Sequence, residues 1–136
     1  MKVSPALLET EVGSMLISWT TRESAEVFQL PGRDWLLCMG PGIGDVQNLT
    51  VGLSIFPPGS APPGHVHDAE EEVIYVVSGH GELRTSEGSV PLEPGTCVYV
   101  PSGLRHATAS YGPESLELVT AFSPPVVPGS YEATQQ

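Results

Sequence analysis

Basic residues are scarce in this chain: five Lys and Arg against 16 Asp and Glu leave a formal net charge of −11 over 136 residues. The five (Lys2, Arg22, Arg33, Arg84 and Arg105) are scattered along the sequence. A surface that binds phosphate backbones or anionic lipid needs clustered cations, so neither nucleic acid nor a membrane surface is an expected partner. Long apolar runs are missing too. The longest strand-like pieces are on the scale of Val73-Ile74-Tyr75-Val76-Val77, far short of the ~18 residues of a membrane span. The N-terminus, MKVSPALLETEVGS, has one lysine followed by acids and lacks the basic-then-apolar layout of a secretory signal, so a cytoplasmic protein is expected. The two cysteines, Cys38 and Cys97, form no CxxC pattern. They read as small buried residues in a reducing compartment, not as a disulfide.

Turn-forming residues, by contrast, are plentiful: 15 glycines and 14 prolines, about a fifth of the chain, alongside a 40% hydrophobic share. Such a composition still folds, and it favours many short strands over long helices. The length suits one domain, 1–136, with one core. The pattern predicts nine strands, at 15–19, 34–39, 49–56, 72–77, 81–85, 89–92, 96–100, 106–111 and 115–122, most of them ended by Gly or Pro. This is the pattern of a β-sandwich or barrel. The only helical signal is TTRESAEV at 20–27, where Thr20 or Thr21 can cap two turns. The first dozen residues and the tail after Pro124 show little periodicity and read as arms.

The chemistry concentrates in PPGSAPPGHVHDAEEEVIYVVSG, residues 57–79. In an extended chain His65 and His67 point to the same face, about 6–7 Å apart, a gap that one metal ion closes. Glu72 opens an apolar strand and shares a face with Ile74 and Val76. A carboxylate on such a face needs a partner, and a cation held by the histidines supplies one. His106 begins a later strand and, folded back across a barrel, completes a set of three imidazoles and one carboxylate. That set suits Fe(II), Mn, Ni, Cu or Zn and usually leaves coordination positions open. An HxH pair alone is a weak signal. Asp68, Glu70 and Glu71 read as a solvated acidic run, and His80, in a Gly-His-Gly turn, as structural or exposed.

These residues resemble the two motifs of the cupin superfamily, G-x5-HxH-x3–4-E-x6-G and G-x5-PxG-x2-H-x3-N. Gly59, His65, His67, Glu72 and Gly79 fill the first (59–79), and Gly95, Pro101, Gly103 and His106 the second (95–110). The one departure is Ser110 where the family has Asn, a position that is not a metal ligand there. The resemblance implies an all-β jelly-roll barrel of the double-stranded β-helix type. It also implies one divalent transition metal per chain on His65, His67, Glu72 and His106, with Fe(II) favoured, and a homodimer paired through sheet edges and N-terminal arms. Small cupins of this kind include dioxygenases, non-redox isomerases, lyases and decarboxylases of sugars and small acids, and binding proteins without catalysis. A metal-dependent enzyme of dioxygenase type acting on a small organic substrate is the first expectation. The motif glycines Gly79 and Gly95 are expected to need a positive φ.

Around the metal, Leu53, Ile55, Ile74, Val76, Leu118 and Phe122 are candidates for the apolar lining, and Trp35 and Met39 for a cap at one end. Alternation along 96–100 puts either Cys97 and Tyr99 or Thr96, Val98 and Val100 on the inner face. Tyr99 and Arg105 are the candidate catalytic side chains. Arg105 is the one base near His106 able to hold a carboxylate, although successive strand residues face opposite ways and a surface ion pair is its plainer reading.

Overall fold

The structure, a computed structural model, describes residues 8–12 and 15–130. Eleven strands follow one another: β1 (Leu8–Val12), β2 (Met15–Trp19), β3 (Glu26–Leu30), β4 (Arg33–Met39), β5 (Thr50–Phe56), β6 (Glu71–Ser78), β7 (Gly81–Thr85), β8 (Gly88–Leu92), β9 (Cys97–Val100), β10 (His106–Ser110) and β11 (Leu116–Ser123). Six form a large sheet in the order β3-β4-β5-β11-β6-β9, three form a small sheet in the order β10-β7-β8, and β1 and β2 make a separate hairpin. Every pairing is antiparallel. All nine expected strands are present, and the described residues contain no α-helix.

The helix expected at 20–27 is corrected, and the two arms take defined forms. The cap signal at Thr21 is real but closes a single turn: Ala25 N–H donates to Thr21 O (2.9 Å) and Ser24 N–H to Thr21 Oγ1 (3.1 Å). Past that turn Val27 and Phe28 enter β3, paired with Leu36 and Trp35, so the cross-strand partner overrides the helical start. Within the N-terminal arm, Leu8–Val12 forms strand β1, in register with β2 from Leu8↔Trp19 to Val12↔Met15, a hairpin apart from the two larger sheets; residues 1–7 lie outside those described. The tail after Pro124 turns back onto the core, where Val126 is buried beside Trp35 and Phe122, its N–H donating to Thr50 Oγ1 (3.2 Å). Residues 131–136 lie outside those described.

The core lies between the two large layers. Phe56, Ile74, Val76, Val100, Leu116 and Leu118 from the large sheet meet Leu83 and Leu92 from the small one. A second cluster of Trp35, Phe122 and Val126 fills the other end, with Phe28, Leu30 and Leu37 packed on it. Burial alternates along β6 as expected, with Glu72, Ile74 and Val76 inside. On β9 the inner residues are Val98 and Val100, while Cys97 and Tyr99 face outward.

β5 inverts expectation. Thr50, Gly52, Ser54 and Phe56 are buried, and Leu53 and Ile55 lie half-buried on the other face. The inside of β5 is small and polar because Trp35 lies across it: a Cβ on Gly52 would come within 2.1 Å of the indole. Trp35 is therefore a buried wall, not an end cap, and Met39 borders a separate outer hollow near Asp45 and Leu49. The cysteine expectation is also corrected. Both thiols are free, but Cys97 is exposed and Cys38 only part-buried. Gly79 and Gly95 have φ of +85° and +93°, as the turns that end β6 and precede β9 require.

Candidate metal centre

His65 leaves a stiff Pro-rich loop and is locked to the start of β10 by reciprocal backbone bonds, His65 N–H to His106 O (2.9 Å) and His106 N–H to His65 O (3.0 Å). Gly64 permits this approach, since a Cβ there would lie 2.7 Å from His106 O. Gly103 N–H donates to His67 O (2.8 Å), fixing the second histidine against the turn before β10. The three rings converge as a result. Centroids lie 4.8 Å apart for His65–His67, 4.7 Å for His65–His106 and 5.4 Å for His67–His106. One nitrogen from each ring lies within 4.8 Å of the other two, so the three histidines could hold a metal ion.

Glu72 faces this cluster from the large sheet. Its Oε1 stands 3.1 Å from His106 Nε2 and 3.4 Å from His67 Nε2. Glu72, His67 and His106 are all buried. Glu72 Oε1 and His106 Nε2 are buried without hydrogen-bond geometry between them, a clustering of lone pairs that a shared cation satisfies. His106 Nδ1 lies 2.9 Å from Leu104 O, which places its proton on Nδ1 and turns the Nε2 lone pair into the site, the tautomer a metal ligand needs. Burial, reinforced by His106 and by the positive Arg33, lowers His67 to about 3, and burial with its imidazole neighbours lowers His65 to about 2. Burial also opposes a charge on His106, but the Glu72 carboxylate and the Leu104 carbonyl outweigh it and raise its pKa. His65 and His67 are thus neutral donors near pH 7.

The cavity over these residues is small, about 20 Å³, on the scale of one water. Trp35, Phe56, Ile74, Leu118 and Phe122 wall it together with Ser54, Thr108 and Thr120. Sequence reasoning missed Arg33, which is buried and lines the same cavity; as one of five dispersed bases it resembled a surface charge. The two catalytic candidates are not among the residues lining this cavity. Tyr99 is exposed and donates to Glu71 Oε1 (2.7 Å), and Arg105 donates to Gly64 O (3.0 Å) beside an outer groove shared with Arg84, Thr85 and Ser86. His80 is exposed, 3.6 Å from Glu114. Ser110 keeps the local turn without Asn: its carbonyl accepts from Gly59 N–H (3.0 Å) and its N–H donates to Ser60 O (2.8 Å).

The family model of the cupin domain matches residues 52–122, a segment that runs from β5 to β11 and contains all four converging side chains. This chain belongs to the cupin family. Among the relatives of this cupin, an oxalate-binding protein of Thermotoga maritima is 32% identical over 66 residues, 48% of this chain and 54% of that protein. A glucose-6-phosphate isomerase of Thermococcus onnurineus is 43% identical over 58 residues, 38% of this chain and 31% of the isomerase. This cupin thus spans about half of the first relative's length and a third of the second's. Among solved structures, KdgF from Halomonas sp. superposes with a TM-score of 0.65 at 22% identity, over 76% of this chain and 92% of that one, a likeness of fold. No helix among the described residues is long and apolar enough to cross a membrane.

Proposed function

We propose that this cupin is a mononuclear metal enzyme of Fe(II) dioxygenase type acting on a small organic substrate, with His65, His67, His106 and Glu72 as the ligands. The convergence of three buried or part-buried imidazoles, two of them within 3.4 Å of one buried carboxylate oxygen, supports the reading. When bound, a divalent metal supplies Lewis acidity and, as Fe(II), a place where substrate and O₂ meet. The rest falls to the chain. Leu104 O holds the His106 proton away from the site, the aromatic and aliphatic walls exclude bulk water, and Ser54 and Thr108 are the lining residues that would offer hydroxyls to an oxygenated substrate. The small cavity limits the substrate to a compact molecule or the tip of a longer one.

A second reading, non-redox isomerisation, lysis or decarboxylation of a sugar or small acid on Zn, Mn or Ni, draws support from the isomerase relative. A third, binding without turnover, draws on the oxalate-binding relative. Elemental mass spectrometry of untagged protein, with His65→Ala/His67→Ala as control, separates them. About one equivalent of iron with substrate-dependent O₂ uptake supports the first, and another metal with no response to oxygen the second. Binding of a ligand with no turnover leaves the third, and no metal after reconstitution overturns the metal-enzyme reading. We further propose a cytoplasmic homodimer. The free, exposed Cys97 suits a reducing compartment, and the exposed Val73, Tyr75, Val77 and Tyr99 beside the β9 edge suit a second copy. Light scattering in solution tests the dimer.

A further inference from the structure

We infer that Val126, on the segment that follows β11, is the gate of the metal cavity: residues 124–130 swing aside, and the substrate enters from the hollow beside residues 66–70. The inference rests on the proposed metal centre and assigns its entry route and the side chain that sets substrate size.

At about 20 Å³ the cavity holds one water, whereas sites for organic molecules run to roughly 300 Å³ or more. A substrate therefore needs part of the surroundings to move. Apart from His65, the walls belong to β4, β5, β6, β10 and β11. Each of these is tied to a neighbour by a strand ladder, so opening there breaks several backbone bonds at once.

The segment 124–130 is held differently. It belongs to no strand, and one hydroxyl latches it to the barrel: Thr50 Oγ1 accepts from Val126 N–H (3.2 Å) and donates to Val126 O (3.3 Å). Two such bonds can open without unfolding the sheets. Pro124, Pro125 and Pro128 stiffen the segment, and Ser130 N–H closes a turn within it on Val127 O (3.0 Å), so it moves as a piece. Val126 packs on Trp35 and Phe122, two walls of the metal cavity. It also lines an outer hollow of about 190 Å³ with Val66, His67, Ala69 and Ser130. His67 links the two spaces, since it borders the hollow and its ring, one of the three that converge, lies 4.9 Å from that of Phe122. With Val126 withdrawn, the hollow reaches Trp35 and Phe122 and, along His67, the imidazole cluster.

The plainer alternative is that the segment only completes the core, and two measurements separate the readings. The first needs no metal. In a Cys38→Ala/Cys97→Ala background, Val126→Cys and Leu92→Cys each place one buried thiol, at the gate and in the first apolar cluster. With a bulky maleimide, Val126→Cys should react about tenfold or more faster than its own unfolding equilibrium in urea allows, and Leu92→Cys only through global unfolding. Labelling of Val126→Cys through global unfolding alone overturns the gate. The second uses cobalt(II)-reconstituted protein. Val126→Ala should speed release of the metal to 1,10-phenanthroline by about fivefold or more, keep the metal equivalents intact, and change the affinity of the small ligand azide by no more than about twofold. Ala69→Phe, which narrows the hollow, should slow the release. Unchanged release in Val126→Ala overturns the gate, as does a parallel change in azide affinity, and unchanged release in Ala69→Phe overturns the route. If Val126→Cys does not fold, release from Val126→Ala decides. If wild-type protein takes up no metal, the metal reading fails separately, and the labelling decides the gate alone.

Discussion

At the scale of single residues, the site separates histidines that converge from one that does not. His106→Ala and Glu72→Ala should each remove most bound metal, because they contribute from opposite sheets, whereas His80→Ala, exposed beside Glu114, should leave it unchanged; metal equivalents per chain check both. Packing makes an equally local prediction at Gly52. A methyl group there meets the Trp35 ring at 2.1 Å, and Trp35 is held over β5 by a bond from its indole N–H to Thr120 Oγ1 (3.2 Å). Gly52→Ala should therefore cost about 1–3 kcal/mol in urea unfolding, with blue-shifted or quenched Trp fluorescence marking the displaced ring. The four proposed ligands were legible in the sequence because metal binding demands particular residue types at particular spacings. Arg33 was not, since nothing in its neighbours separates a cation that turns inward from one that turns out.

At the scale of elements, the turn from Thr21 to Ala25 is tied to β11 by the Arg22 guanidinium, whose Nη1 and Nη2 donate to the two Glu117 carboxylate oxygens at 3.0 and 2.9 Å. The arginine, mainly through these bonds, holds the Glu117 carboxyl below its ordinary 4.5. A carboxyl with a depressed folded-state pKa contributes stability above its unfolded-state value and loses it as pH falls through the folded one. The advantage of wild type over Glu117→Gln in thermal melts should therefore be full at pH 7 and close progressively below pH 4.5. It should be modest, because the pair is largely solvent-exposed. Nine strands were legible because Gly and Pro bound most of them. β3 was not, because a Thr-capped turn looks like a helix start until its cross-strand partner is known. The face of β5 was misjudged for a reason that belongs to function. Its inner positions carry Thr50, Gly52 and Ser54 to accommodate Trp35 and the cavity, so hydropathy points the wrong way along that strand.

At the scale of the whole molecule, two apolar clusters lie on either side of a polar centre. Leu118, buried at 1% exposure, borders that centre and belongs to the first cluster. Leu118→Ala should cost about 2–5 kcal/mol and enlarge the cavity, with denaturant midpoints reading the first effect. Stripping the proposed metal with a chelator should lower the melting temperature, since only the folded chain presents three imidazoles and a carboxylate together. His65→Ala/His67→Ala should show no such chelator response.

The division of these side chains between layers has a mechanical consequence. Glu72 belongs to the six-stranded sheet, His106 to the three-stranded one, and His65 is bonded to the first residue of the latter. The strands of these two plates face each other through apolar side chains, and such contact resists separation well and sliding poorly. A cation shared between them is a rivet. Hydrogen exchange in β10 should slow on metal loading more than in β4, and a single molecule pulled so that the layers shear should yield at a higher force when loaded.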